Sequence, residues 1–216
     1  MLGDTDAKRT YRGLMLVLSK TYSNRWQAQV SYVWSRGQGT VDNAARTGLG
    51  GFAFENPSQA LVNADGFLAN DRTHELKALA SYQVPRAEVL VSGTLTTLSG
   101  ATYAPMTVLS GRTLNWTGSL NVRLEPRGSE RLPTRNVVNL RVEKVFAVDV
   151  HRIGLFVDVA NLFNDRTAVA VQTLYPTRAV SYADDSGQVQ TVDVPYDAPM
   201  ALVPARQITI GARWSF

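Results

Sequence analysis

The chain's last twelve residues read ARQITIGARWSF. From Ile208 onward apolar and polar side chains alternate without a break, and the final residue is a phenylalanine. In an extended strand successive side chains point to opposite faces. Ile208, Ile210, Ala212, Trp214 and Phe216 therefore share one surface, while Gln207, Thr209, Gly211, Arg213 and Ser215 share the other.

The same period returns six times upstream, which turns one suggestive window into an architecture. RWQAQVSYVWSR sets Trp26, Ala28, Val30, Tyr32 and Trp34 against Gln27, Gln29, Ser31 and Ser35, with Val33 as the exception. HELKALASYQV sets Leu76, Ala78, Ala80, Tyr82 and Val84 against Glu75, Lys77, Ser81 and Gln83. VVNLRVEKVF sets Val138, Leu140, Val142 and Phe146 against Asn139, Arg141 and Glu143. RIGLFVDVANLF sets Ile153, Leu155, Val157 and Val159 against Gly154, Phe156, Asp158 and Ala160. Two weaker windows carry Leu14, Leu16 and Leu18, and Val89, Val91 and Leu95. Seven strands are predicted.

Their connections alternate in length. Short links fall at Lys20 to Asn24, Pro85-Arg86 and Ala147 to Val150, within hairpin range. Gly37 to Thr73, Gly100 to Arg135 and Asn164 to Ala205 each exceed thirty residues. Long loops are uncommon in compact soluble domains and usually functional. Short turns alternating with long loops predict an antiparallel up-and-down transmembrane β-barrel wall, with short periplasmic turns and long extracellular loops. About eleven residues per strand at about 3.3 Å each, tilted near 45°, rise roughly 25 Å, the height of the apolar band. Trp26, Tyr82, Phe146, Trp214 and Phe216 then fall near one membrane interface, and Tyr32 and Trp34 near the other. A soluble β-sandwich binding module also alternates, one face packed and the other wet. It accounts for neither the asymmetry of the connections nor the terminal aromatic.

Composition trims other classes. At 216 residues and 44% hydrophobic the chain can bury a sizeable core, and no run approaches the eighteen or so apolar residues of a spanning helix. The opening MLGDTDAKRTYRG lacks the basic head and apolar stretch of a secretory signal. Cysteine is absent, which removes disulfides and thiolate chemistry. The net charge of +4 is scattered among apolar residues rather than gathered in a stripe, so no nucleic-acid partner is expected.

YRGLMLVLSKTYSNRWQAQVSYVWSR, NDRTHELKALASYQVP, LSGATYAP, RNVVNLRVEKVF, VANLFND and ARQITIGARWSF follow one another in an order similar to the C-terminal part of TonB-dependent outer-membrane receptors, nearest the Oar-like branch. The resemblance runs from about Tyr11 to Phe216. In LSGATYAP, Thr102 stands where that family usually carries a proline. The resemblance implies outer-membrane lipid around the strands and a 22-stranded barrel enclosing an N-terminal plug. It implies TonB as the energy-coupling partner through that plug, and uptake of a scarce ligand such as a siderophore, vitamin or glycan. It also implies that Phe216, with Trp214, Ala212, Ile210 and Ile208, is a signal read by the barrel assembly machinery of a Gram-negative outer membrane. On this reading the chain is the last third of a receptor without plug or signal peptide, unable to transport alone. A passive pore or adhesin barrel is the alternative within the same fold.

Candidate site residues fall into two groups. Arg141, Glu143, Asp158, Glu75, Lys77 and Arg213 are polar-face residues expected to point into a lumen. A turn centred between Asp149 and Val150 puts Arg141 opposite Asp158, within ion-pair reach. Structural pinning of register is the simpler role, and a plug contact the functional one. Tyr103, Trp116, Tyr175, Tyr182 and Tyr196 lie outside the strand patterns and are candidates for stacking on a small ligand or sugar. ADDSGQ places Asp184 and Asp185 near a glycine but lacks the spacing of a calcium loop, so it reads as a polar turn. NWT at Asn115 fits a glycosylation sequon, which carries no weight in a bacterium. His74 and His151 lie at opposite strand ends, too far apart to share a metal. No hydrolase, zinc-protease or phosphate-loop motif is present, so neither an enzyme nor a cofactor is expected.

Overall fold

The computed structural model describes residues 8–40, 62–110 and 119–215. Among them every regular element is a strand. β1 (Arg9–Ser23) and β2 (Trp26–Gly39) form a hairpin closed by Asn24 and Arg25, both with positive φ (51° and 69°). That is the geometry of a two-residue turn whose twist matches the strands it joins. β3 (Gly66–Phe67) pairs with the far end of β2. β4 (His74–Val84) and β5 (Val89–Leu98) form the second hairpin. Short strands follow: β6 (Thr102–Tyr103), β7 (Met106–Ser110), β8 (Ser119–Arg123) and β9 (Glu130–Arg131). β10 (Arg135–Val148) and β11 (His151–Ala160) form the third long hairpin, closed at Asp149 and Val150. After β12 (Ala168–Val171), β13 (Thr177–Ala183), β14 (Val189–Pro195) and β15 (Pro199–Leu202), the chain returns as β16 (Gln207–Ser215).

The seven long strands make one antiparallel sheet in sequence order, β1-β2-β4-β5-β10-β11-β16. All seven predicted strands are present, with ends shifted by a few residues. β11 stops at Ala160 rather than running to Phe163, because Asn161 turns to φ 52°. The three tight turns emerge at one rim and the three long connections at the other, as ordered antiparallel pairing requires. The long connections are not patternless: β6 pairs with β9, β7 with β8, β12 with β15 and β13 with β14.

Pairing carries the alternation across the sheet. One row runs Trp26, Tyr82, Val91, Val142, Val157, Ile210, and the next toward the long connections runs Ala28, Ala80, Gly93, Leu140, Val159, Ile208. These residues share one apolar face, and it is open: Leu18 is 74% exposed and Ile210 79%. Among the described residues no second sheet covers it, as a sandwich would require. The opposite face carries Gln27, Ser81, Ser92, Arg141, Asp158 and Thr209 in one pairing row.

The sheet is also staggered. The first hairpin closes at Ser23↔Trp26, whose row meets β10 at Val142. The third hairpin closes at Val148↔His151, six residues further along β10. Six residues at about 3.3 Å across four strand spacings of about 4.8 Å incline the line of turns by about 45° to the pairing direction.

The buried core is small and lies at the rim of the long connections. Ala64, Leu68, Leu98, Ala104, Leu132 and Val203 fill it, with Asp71, Ser99, Thr102, Asn161 and Gln172 buried among them.

Candidate functional site

Four charged side chains meet on the polar face of β10, β11 and β16. Arg141 pairs with Asp158 (3.0 Å) and Glu143 (3.2 Å), and Glu143 also receives Arg213 (2.9 Å). The register that makes this possible is Arg141↔Asp158, set by the Asp149-Val150 turn. Glu143 is the most sheltered member, its side chain only 9% exposed. Its two oxygens are each engaged by a different guanidinium, so it links β10 to β16 across β11. The Arg141 guanidinium lies over the Phe156 ring at 4.0 Å from its centroid. Glu75 and Lys77 pair with each other on the same face of β4, away from this network.

At the rim, Asp71 ties three segments together. Its Oδ1 accepts the Gly37 N–H (2.6 Å), and its Oδ2 meets Arg131 (2.5 Å). Arg131 further donates to the carbonyls of Asp71 (3.1 Å) and Gly100 (2.8 Å). The end of β2 and the first two long connections thereby share one buried carboxylate, its side chain 1% exposed. The third connection is fastened by the VANLFND segment. Asn161 Nδ2 donates to the carbonyls of Asp165 and Pro204, and its N–H reaches Asn139 Oδ1. Asp165 accepts from Thr167 and from the Asn136 N–H. The hydrogen bond from Thr167 holds its carboxyl below the usual range.

Three of the five candidate aromatics come together above this core. The Tyr103 hydroxyl donates to Asp197 Oδ1 (2.7 Å), and Tyr175 meets Tyr196 edge-on with centroids 6.0 Å apart. Burial, followed by the carboxylates of Asp197 and Glu130, pushes the Tyr103 phenol far above the usual tyrosine range. Burial and the Glu130 carboxylate do the same for Tyr196. The Tyr103 hydroxyl thus remains a donor to Asp197, whereas the buried Tyr196 hydroxyl has no hydrogen-bond partner among the described residues. Tyr182 stands apart and exposed on β13. Trp116 and Asn115 lie outside the described residues, as does Phe216.

No known protein-family profile matches the chain. A curated protein does: over 185 residues, 80% of this chain, 28% of positions are identical to the TonB-dependent transporter Oar of Myxococcus xanthus. The chain is similar to a TonB-dependent transporter. It spans only 17% of that relative's length.

Similarity to the Oar transporter does not single out site residues, and the structure adds several that sequence reasoning missed. Asp71, Arg131, Glu130 and Asp197 carry no periodic signal, because their partners are brought in from distant connections. Asp184 sits in the polar turn expected of ADDSGQ, and there its oxygens accept from Ser186, Gln188 and Gln190 within the β13–β14 hairpin. Among the described residues no cluster of His, Asp and Glu is arranged to hold a metal. His74 and His151 sit at opposite rims, His74 bonded to the Tyr32 hydroxyl (2.8 Å) and His151 against Trp214.

Proposed function

We propose that the chain is a wall segment of an outer-membrane TonB-dependent transporter, its apolar face in lipid and its polar face toward the lumen. The carrying observation is a seven-strand meander with one continuous exposed apolar face and its short and long connections at opposite rims. A greasy face of this size in water would drive association, whereas in a bilayer it needs no cover. The inclined line of turns supports the same reading. If the turns lie level at one membrane interface, the strands tilt by about 45°, the range of such barrels.

The open edges of β1 and β16 would leave backbone groups unpaired in hydrocarbon, so the functional unit is a larger closed barrel, 22-stranded by family resemblance. The segment does not transport alone. The long connections form the external ligand surface, with Tyr103, Tyr175 and Tyr196 as contacts to a siderophore, vitamin or glycan. Arg141, Glu143, Asp158 and Arg213, and separately Glu75 and Lys77 on β4, line the lumen and meet the plug that TonB moves. Ile208 to Phe216 serve as the assembly signal. The chain is not an enzyme and needs no cofactor.

This segment carries no cysteine, so a cysteine introduced into it is unique within the segment and reports its topology. In intact cells a membrane-impermeant maleimide should label Ser186→Cys on the β13–β14 turn, and should reach Arg86→Cys only after permeabilisation. Equal labelling at both positions, in a protein that stays in solution without detergent, would sink the proposal. A passive pore is separated by energy dependence: abolishing the proton gradient should stop uptake by a transporter and leave diffusion unchanged.

A further inference from the structure

At the outer rim of the apolar face the strand chemistry changes abruptly. Leu14, Leu16 and Leu18 of β1 lie exposed in one line. Continuing that line past Leu14, the next positions are Arg12, Thr10 and Lys8, paired across to Arg36, Gln38 and Thr40. Together with Trp34, Gly39, Asp65 and Gly66 these residues, apart from Thr40, line a cleft of about 450 Å³.

The cleft has a built wall. Gly39 packs so closely on the start of β1 that a Cβ there would lie 2.2 Å from the Lys8 carbonyl oxygen. The N–H of Thr40 donates to that same oxygen (2.9 Å), and the Lys8 N–H donates back to Thr40 Oγ1 (3.0 Å). Arg12 and Arg36 face each other directly across the ladder, an arrangement of like charges that costs stability unless an anion sits between them. Asp65, the one carboxylate lining the cleft among the described residues, is engaged by Lys8 at 2.9 Å. Arg36 rests against the Phe67 ring at 5.3 Å, which orients its planar fork without satisfying it.

We propose that this cleft binds the phosphate group of an anionic lipid in the leaflet beside the long connections, its acyl chains lying along Leu14, Leu16 and Leu18. The inference rests on the reading of the apolar face as lipid-facing. Position identifies the ligand. A soluble anion would need only the cations, whereas this site opens onto an apolar track and carries a half-buried tryptophan at the level where headgroups meet acyl chains. Arginine pairs suit phosphate oxygens because each guanidinium can donate two parallel hydrogen bonds.

The test uses the full-length protein that contains this chain, extracted in mild detergent, with diphosphoryl lipid A as probe and native mass spectrometry as readout. Wild type should retain the lipid. Arg12→Gln and Arg36→Gln should each weaken retention by about tenfold, the effect of removing one charge-assisted hydrogen bond. Arg86→Gln at the opposite rim, with the same change of charge, should match wild type. Equal retention by Arg12→Gln/Arg36→Gln and wild type, in protein that still enters micelles as a folded band, overturns this site alone. Displacement of the lipid by inorganic phosphate at equal concentration overturns it too, since it marks a free-anion site. Protein that stays soluble without detergent overturns the membrane reading along with it.

Discussion

The Phe156 ring lies flat on the bare backbone of Gly211, its directly paired neighbour on β16. A Cβ added at Gly211 would stand 2.3 Å from the ring's Cζ. An aromatic covering a cross-strand glycine both shields the backbone and fixes the ring, and here the fixed ring is the platform for Arg141. Gly211→Ala should therefore lift the ring and loosen Arg141, at a cost of about 1–3 kcal/mol. Phe156→Ala should cost a similar amount, and the double variant less than the sum, because both abolish the same ring-on-backbone packing. Denaturant unfolding in micelles measures the cycle, and strict additivity would argue against the coupling.

Glu143 is shared by two arginines, Arg141 on its own strand and Arg213 on β16. Glu143→Ala leaves Arg141 and Arg213 without their shared acceptor, and should destabilise by about 1–3 kcal/mol, the scale of a charge-assisted hydrogen bond left unmade. Arg213→Ala should cost less, because that side chain is 66% exposed and its pairing is screened. Rising salt should narrow the difference between Arg213→Ala and wild type more than that between Glu143→Ala and wild type.

Legibility in the sequence follows the physics of each element. The seven long strands are readable because each has two chemically different sides along its whole length, and period two is then enforced at every position. Their turns follow, and with the Asp149-Val150 turn comes the Arg141–Asp158 register. The strands of the long connections are not readable. β13 is exposed at six of its seven residues, and β12 meets β15 with two register shifts, so neither is pressed into alternation. The rim core is hidden for another reason. Asp71 and Arg131 are 60 residues apart, and no local pattern announces a pair made by the packing of two loops. Aromatic content alone draws attention to Tyr103, Tyr175 and Tyr196, and cannot tell them from Tyr182.

Removing the Asp71 carboxylate should loosen the rim without unzipping the sheet. Asp71→Ala leaves the Gly37 N–H without its acceptor and takes the carboxylate from Arg131, which keeps its two carbonyl acceptors, a loss of about 1–3 kcal/mol on the scale of a charge-assisted hydrogen bond left unmade. Limited proteolysis should then cut within the first two long connections at rates well above wild type, while the seven-strand sheet stays protected. Loss of protection throughout the chain at the same protease dose would contradict this division.

The β13–β14 hairpin offers a pH test. Hydrogen bonds from Ser186 first, then from Gln190 and Gln188, hold the Asp184 carboxyl down at about 2 against an ordinary 3.8. A carboxyl with a lower pKa folded than unfolded adds stability that is full above its unfolded value and fades as pH falls toward its folded one. The hairpin's contribution should thus be intact above pH 3.8 and lost progressively down to about 2. NMR titration of the Asp184 side-chain carboxyl should give a midpoint near 2, and Ser186→Ala should raise it toward 3.8. Added calcium should leave both midpoints where they are, because the oxygens a cation would need already accept hydrogen bonds from the turn. A calcium-dependent fall in the midpoint would mark the hairpin as an ion site instead.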